Sequence, residues 1–330
     1  MKTIRMLLLL GLAAIAFMLG MLYYYSERPG PSQQDVYVLI PPGSTVGTAA
    51  NALLAQQAIT HPQLFKAVWR LRSTGRSIQA GEYLIPAGAT PYMILKKMVE
   101  GDVFLRRITI PEGFATRQLL GRLMNDSVLQ GELPQDVTEG TYLPDTYYYT
   151  YGDTRSEVLA RMHAAQQTLK ETLTAQYTNP PLSWEKTVIL ASIVERETPK
   201  AEERPLVASV FLNRLQVGMP LQSDPTVIYA LTEGTMEMVR PLTRADLKIA
   251  SPVNTYVNPG LPPTPICNPG KASIEAVMNP QKSNYYYFVA DGEGGHWFSR
   301  TLEEHNQNVA RYRKKLAEQS AQTSSTTTGN

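Results

Sequence analysis

The chain has 330 residues, of which 43% are hydrophobic and 18% are charged, so it has enough apolar material for folded domains and is not a wholly disordered protein. Its 31 Lys and Arg residues nearly balance its 29 Asp and Glu residues, which excludes a strongly basic nucleic-acid-binding protein. The single cysteine, Cys267, excludes a disulfide framework and a multi-cysteine metal site.

The first element is an uncharged apolar segment, residues 6–25, which is long enough to cross a bilayer as a helix. Lys2 and Arg5 precede it, so the positive-inside rule places the N-terminus in the cytoplasm and the remaining chain outside. A signal peptide cleaved after Ala16 is the alternative, but cleavage would leave a very apolar mature N-terminus. We therefore predict a single-pass anchor over 1–25 and a polar, proline-rich linker over 26–35.

A strand, a Pro-x-Gly turn and an amphipathic helix then recur three times, with strands ending at residues 40, 85 and 110. Proline ends each strand because it cannot donate to the ladder, and glycine permits the tight turn. A further helical stretch at 61–71 gives the order strand, helix, helix, strand over 36–86. This order resembles the LysM carbohydrate-binding fold, and a generic small α+β module is the alternative. We predict a LysM-like module with its connecting helix over 36–106.

The most informative helix is predicted to end near Thr198 and contains two glutamates, Glu195 and Glu197. At about 100° per residue, one side of this helix is an apolar stripe. The stripe consists of Leu190, Ile193 and Val194. Glu197 falls at the centre of the stripe and Glu195 falls on the opposite side. We therefore predict that Glu195 is an ordinary surface charge and that Glu197 faces the core or a cleft.

A carboxyl in apolar surroundings has a raised pKa and can act as a general acid near neutral pH. The alternative for Glu197 is a structural ion pair with Arg204 or Arg214, because such pairs also place carboxylates inside proteins. At this point both interpretations stay open.

Further candidates follow this helix along the chain. Asp224 precedes Pro225 and has the form of a helix N-cap, which we favour over a catalytic role. Gln222 has no evident structural role and could bind a polar ligand. His296, after a Gly-Gly turn, is either a ligand contact or a packed residue of the hairpin.

A proline-rich irregular loop at 251–271 contains Asn254 and Tyr256. It is either one wall of a substrate groove or a structured surface loop. The charged and aromatic residues elsewhere form no Ser/His/Asp arrangement, phosphate loop or metal cluster in the sequence, so no cofactor is predicted.

Several segments in the same order resemble the endolytic murein transglycosylases, the YceG-like family of bacteria. These segments are Tyr142–Tyr147, Ala191–Thr198, Val207–Leu231, Pro252–Gly270 and Tyr286–Asn306. The resemblance implies an inner-membrane enzyme that cuts glycan strands internally, between N-acetylmuramic acid and N-acetylglucosamine. It also implies that the second glutamate of the E-x-E-T phrase, Glu197, is the catalytic acid. Asn268 and Pro205 depart from the family pattern.

The resulting expectation is an α+β protein with an anchor, a LysM-like βααβ module, a mixed α/β catalytic domain over 107–317 and a disordered tail over 318–330. Its product would be strands with 1,6-anhydro ends, and cleavage would limit the length of nascent strands. The expected partners are peptidoglycan and membrane-bound peptidoglycan synthases, without nucleic acid or metal. The residues predicted to bind substrate are Gln222, Asp224, Thr226, Asn254, Tyr256 and His296.

Two alternatives to this function stay open. One is a muramidase-type hydrolase that uses Asp224 or Asp145 as a second carboxylate. The other is a non-catalytic peptidoglycan-binding scaffold.

Overall fold

The computed structural model describes residues 2–235 and 238–327. The chain divides into two compact units. The first comprises the residues up to Arg107 together with Tyr148–Asp153, and the second comprises Ile108–Tyr147 together with the residues from Thr154 onward. The return of Tyr148–Asp153 to the first unit is a feature that the linear sequence does not indicate.

Helix α1 (Lys2–Glu27) contains the apolar N-terminal segment. The most apolar window of this helix is 0% buried, and its length and composition are those of a membrane-spanning segment or a signal sequence. Exposed apolar surfaces of this size are typical of segments that contact a membrane or another protein.

After α1, the first unit consists of β1 (Val36–Ile40), α2 (Val46–Ala55), α3 (Pro62–Arg72), β2 (Gly81–Ile85) and α4 (Pro91–Glu100). Strands β1 and β2 pair in antiparallel fashion, with the first residue of β1 opposite the last residue of β2. The predicted strand–helix–helix–strand order over 36–86 is therefore confirmed. Apolar residues of both strands and all three helices share one core, which includes Val38, Leu53, Phe65, Tyr83 and Ile94.

The three Pro-x-Gly turns adopt the predicted tight conformation. Gly43, Gly88 and Gly113 have φ values of 77°, 67° and 78°, a left-handed region that glycine enters without steric cost. In the first two copies, Thr45 and Thr90 cap the helix that follows, because each hydroxyl accepts a hydrogen bond from a backbone N–H three residues later.

Strands β3 (Arg106–Thr109) and β4 (Thr146–Tyr149) form a second two-stranded sheet.

The second unit is mainly helical. Its elements are α5 (Thr116–Met124), α6 (Arg155–Gln176), α7 (Trp184–Glu197), α8 (Arg204–Gln216), α9 (Asp224–Thr232), α10 (Lys271–Met278), β5 (Tyr287–Ala290), β6 (His296–Ser299) and α11 (Leu302–Thr327). Short 3₁₀ turns lie at Ala201–Glu203 and Asp246–Lys248. Helices α7, α8 and α10 supply most of the core, and β5 and β6 form the predicted hairpin.

Two details of the second unit differ from the sequence-based expectation. Asp224 is the first residue of α9 rather than its N-cap, because Ser223 occupies the cap position in extended conformation. Helix α11 continues past Leu316 to Thr327, into the tail predicted from 318. That tail contains no proline and no glycine before Gly329, so nothing in its sequence stops the helix, while residues 328–330 lie outside the described residues.

Candidate functional site

The site forms around Glu197, the last residue of α7. The apolar stripe of this helix is completely buried, with Leu190, Ile193 and Val194 at 0% exposure. Glu197 follows the same side of the helix but is only partly buried, because the helix ends there. Burial raises the pKa of the Glu197 carboxyl to about 7. The carboxyl is therefore partly protonated at neutral pH and reachable from solvent.

Ser223 is the direct hydrogen-bond partner of this carboxyl. Its hydroxyl donates to Glu197 Oε1 at 2.5 Å, which lowers the pKa and partly opposes the effect of burial. Ser223 is itself 1% exposed, and its N–H donates to Thr255 Oγ1 at 3.0 Å. The sequence analysis missed Ser223. Its position directly before the helix start is that of an N-cap serine, but in the structure its hydroxyl makes no cap hydrogen bond and donates to Glu197 instead.

Two charged groups act on Glu197 without a direct hydrogen bond. The negative charge of Asp224 raises the pKa of Glu197, and the positive charge of Arg214 lowers it. Arg214 is buried and donates to the backbone oxygens of Tyr286 and Leu221, each at 2.6 Å. Arg214 is therefore a fixed cation held by carbonyl groups, and neither it nor Arg204 forms the ion pair with Glu197 that the sequence left open.

Asp224 and Tyr256 form a polar pair beside Ser223. The Tyr256 hydroxyl donates to Asp224 Oδ1 at 2.5 Å, and both burial and the Asp224 carboxylate raise the pKa of Tyr256. Gln222 is exposed, and its backbone φ of 50° is unusual for a residue with a side chain. Its N–H donates to the Thr255 carbonyl, so the strained conformation is held by the same loop.

Two of the predicted substrate-binding residues lie inside the protein. Thr226 is 0% exposed, and its hydroxyl donates to the Ser223 carbonyl at 2.7 Å. Asn254 is also 0% exposed, and its amide donates to the Leu247 and Ile249 carbonyls. Both side chains therefore shape the loops behind the site rather than its surface.

The prediction that Glu195 is an ordinary surface charge is wrong. Its side chain is 4% exposed, and Arg204 donates to its Oε1 at 2.8 Å. Gly270 N–H donates to its Oε2 at 2.9 Å. The opposite face of α7 is thus covered by Arg204 at the start of α8 and by Gly270 before α10. Gly270 has no room for a side chain, since a Cβ there would lie 1.9 Å from Glu112 Oε1.

His296, at the start of β6, contacts the segment that follows α7. Its Nδ1 lies 2.7 Å from Glu203 Oε2, and its N–H donates to Glu203 Oε1 at 3.1 Å. The Thr198 hydroxyl, next to Glu197, donates to the same Glu203 carboxylate at 3.4 Å. The structure therefore connects His296 to the end of α7 through Glu203.

Asn268, the departure from the family pattern, is fully buried. Its amide nitrogen donates to the Phe114 carbonyl at 3.1 Å and to Thr116 Oγ1 at 3.0 Å, and its Oδ1 accepts from Tyr142 N–H at 3.1 Å. This residue holds three distant segments together. Asp145, the other carboxylate considered from the sequence, is exposed and accepts from the N–H of Thr146.

The arrangement can perform proton transfer. One carboxyl titrates near neutral pH, has a fixed hydrogen-bond donor on one oxygen and is partly open to solvent. A group of this kind can donate a proton and later accept one. Within residues 2–235 and 238–327, no group of three or more His, Cys, Asp and Glu side chains is arranged to hold a metal ion.

Comparisons with known proteins identify relatives over most of the chain. It is 32% identical over 314 residues to the endolytic murein transglycosylase of Bacillus subtilis, a match that covers 85% of this chain and 86% of the relative. It is 29% identical to the endolytic murein transglycosylase of Streptococcus pneumoniae strain D39, where the match covers 85% of this chain and 59% of that longer protein.

A solved structure gives a similar result. The crystal structure of a YceG-like protein of Listeria monocytogenes aligns with a TM-score of 0.55 at 32% identity, covering 84% of this chain and 99% of that one. The profile of the YceG-like family matches residues 38–311, which include every residue of the site described above. The chain therefore belongs to the YceG-like family.

Proposed function

We propose that this protein is an endolytic murein transglycosylase with Glu197 as its catalytic acid and base. The observation that carries the proposal is the partly exposed Glu197 carboxyl, whose pKa of about 7 allows both roles at neutral pH. Relatives named for this activity, at 29–32% identity over 85% of the chain, support it.

In the proposed reaction, protonated Glu197 donates its proton to the glycosidic oxygen between N-acetylmuramic acid and N-acetylglucosamine. The bond from C1 to that oxygen breaks, and C1 of the muramic residue becomes oxocarbenium-like. Ionised Glu197 then takes the proton from the C6 hydroxyl of the same sugar, and the C6 oxygen bonds to C1. The products are a 1,6-anhydromuramic end and a free N-acetylglucosamine hydroxyl, and no water is consumed.

The Ser223 hydrogen bond determines which carboxyl oxygen reacts. Because Ser223 donates to Oε1, that oxygen acts as an acceptor and Oε2 carries the transferable proton. Because the attacking C6 hydroxyl belongs to the substrate itself, the reaction does not need a second carboxylate as nucleophile. Correct orientation of the reacting groups can account for much of the rate enhancement.

We propose three groups as substrate contacts: Gln222, the Asp224–Tyr256 pair and the partly buried His296. Gln222 and Asp224 are exposed directly beside the buried Ser223. Thr226 and Asn254, by contrast, are assigned to support of the surrounding loops, because both are fully buried.

We further propose that α1 anchors the protein in the inner membrane as a single span, with the N-terminus cytoplasmic and the remainder periplasmic. The exposed apolar stretch of α1 and the preceding Lys2 and Arg5 support this topology. Anchoring would hold the enzyme beside membrane-bound peptidoglycan synthases, where cleavage would limit the length of nascent strands. The βααβ module over 36–106 is proposed to be LysM-like and to bind the same glycan.

The test is mass spectrometry of purified peptidoglycan after incubation with the detergent-solubilised full chain. We expect anhydro-ended fragments with the unmodified protein and none with Glu197→Gln. Glu202→Gln is the matched control, because this nearby glutamate is exposed and makes the same carboxyl-to-amide change outside the site.

Other products would reject the proposal. Reducing ends would indicate a hydrolase, for which Asp224 is the candidate second carboxylate because its charge already acts on Glu197. Binding to peptidoglycan without any released fragment would indicate a scaffold.

A further inference from the structure

The first unit contains an apolar groove that the proposed reaction does not use. It lies between the last two turns of α1 and helix α3, and its volume is about 890 Å³, within the range of ligand-binding pockets. Its apolar lining includes Leu19 and Leu22 of α1 and Leu64, Ala67 and Leu71 of α3. Leu64 and Leu71 are 39% and 59% exposed, so the wall formed by α3 is open.

The two helices that form this groove are held together by polar contacts. The Tyr25 hydroxyl donates to the His61 carbonyl at 3.0 Å. Arg72 of α3 donates to Ser26 Oγ at 2.9 Å and to Glu27 Oε1 at 2.5 Å, both at the end of α1. These contacts fix the spacing between the end of α1 and α3, which form the two walls of the groove.

The groove continues the apolar surface of α1. The residues of α1 that line one wall belong to its apolar segment: Met18, Leu19, Met21, Leu22, Tyr24 and Tyr25. If α1 spans the membrane, as proposed above, these residues lie at the outer end of the span, and the groove opens toward the acyl chains of the outer leaflet. A hydrocarbon chain is the occupant that such a lining favours.

The polar rim of the groove is basic. Arg28 and Arg70 both belong to the groove and are exposed. Within the described part of the chain, neither guanidinium forms an ion pair, whereas the neighbouring Arg72 is paired with Glu27. Arginine binds phosphate oxygens through charged, bidentate hydrogen bonds, so a phosphate-bearing headgroup complements this rim.

We propose that this groove binds an anionic phospholipid, with an acyl chain between α1 and α3 and the headgroup phosphate on Arg28 and Arg70. In addition to the membrane-spanning helix, two interactions would then hold the first unit at the membrane surface: apolar contact with the acyl chain and ionic contact with the phosphate. This inference depends on the proposed membrane-spanning role of α1, but not on the proposed reaction.

The test uses the full chain reconstituted in vesicles of equal phosphatidylglycerol and phosphatidylcholine, followed by native mass spectrometry of the lipids that it retains. We expect preferential retention of phosphatidylglycerol. Each of Arg28→Gln and Arg70→Gln should weaken that retention about fivefold, and the double variant should weaken it more than tenfold. Arg76→Gln is the control, because it removes the same charge from an exposed site of this unit outside the groove.

A second variant tests the apolar part of the site. Ala67→Trp should fill the groove and reduce the retention of both lipids while the arginines remain. Equal retention of the two lipids, unchanged in the double variant, would overturn the lipid site alone. Extraction of the unmodified chain from the vesicles by alkaline carbonate would reject the membrane span and the lipid site together, whereas glycan cleavage would be unaffected by either result.

Discussion

Replacement of Ser223 by alanine tests the proposed role of Glu197 most directly, because it removes one hydrogen bond and adds no charge. A hydrogen bond to an ionised group contributes about 1.5–3 kcal/mol, and one to a neutral group contributes about 1 kcal/mol. Ser223→Ala therefore destabilises the ionised form by about 1 kcal/mol more than it destabilises the neutral form. Since about 1.36 kcal/mol corresponds to one pKa unit, the pKa of Glu197 should increase by about one unit.

The sign of the effect on activity follows from the role of Glu197 as an acid. The active form of the free enzyme has Glu197 protonated, so kcat/KM should decline above pH 7, given its pKa of about 7. In Ser223→Ala this decline should move upward by about one pH unit. The maximum rate should fall about tenfold, because the carboxyl loses the donor that orients it.

The assay is the rate of anhydro-product formation from pH 5 to pH 9, measured by chromatography with mass detection. Ser209→Ala serves as control, because Ser209 is also buried and its hydroxyl is also hydrogen-bonded, but to Ser283 rather than to Glu197. An alkaline limb that stays in place, or moves downward, in Ser223→Ala would refute the assigned hydrogen bond or the acid role of Glu197.

Three predictions concern the free energy of unfolding, measured with urea. The pKa of Glu197 is raised from 4.5 to about 7 in the folded state, so the free energy of unfolding should fall by about 3 kcal/mol as pH rises through that window. The Glu197→Gln variant does not titrate here, so between pH 4 and pH 8 its stability should increase by that amount relative to the unmodified protein. A difference that stays constant with pH would contradict this. Glu195→Gln should cost about 3 kcal/mol, because it removes the closest partner of the buried Arg204, whereas Glu202→Gln should change stability by less than about 0.5 kcal/mol. Asn268→Ala should cost about 2–4 kcal/mol through several lost buried hydrogen bonds, and a cost below about 1 kcal/mol would show that these contacts are dispensable.

Patterns among neighbouring residues correctly predicted the face of a helix, the conformation of turns and the order of elements in the first unit. The helical period places Glu197 on the side of the buried stripe, and the Pro-x-Gly turns have the left-handed glycines that their sequence requires. The order of elements over 36–86 follows from the alternation of strand, turn and helix signals. In each case neighbouring residues determine the outcome, so a single sequence is sufficient.

Contacts between distant segments could not be predicted in the same way. Helical spacing correctly separates Glu195 from Glu197, but it cannot show that Arg204 and Gly270 cover the face that carries Glu195. In the same way, the polar character of Asn254 suggested a ligand contact, although its amide is used by the carbonyls of its own loop. Polar residues in loops are therefore ambiguous until their backbone partners are known.

The polarity of two helices also bears on the roles of the site carboxylates. Glu197 is the last residue of α7, where the backbone carbonyls give the helix end a partial negative charge that disfavours a second negative charge. Asp224 is the first residue of α9, where backbone N–H groups give a partial positive charge that attracts an anion. The backbone thus places partial charges of opposite sign beside the two site carboxyls. Moving either acid to the other end of its helix would reverse the sign of the partial charge beside it, even if every neighbouring side chain stayed the same.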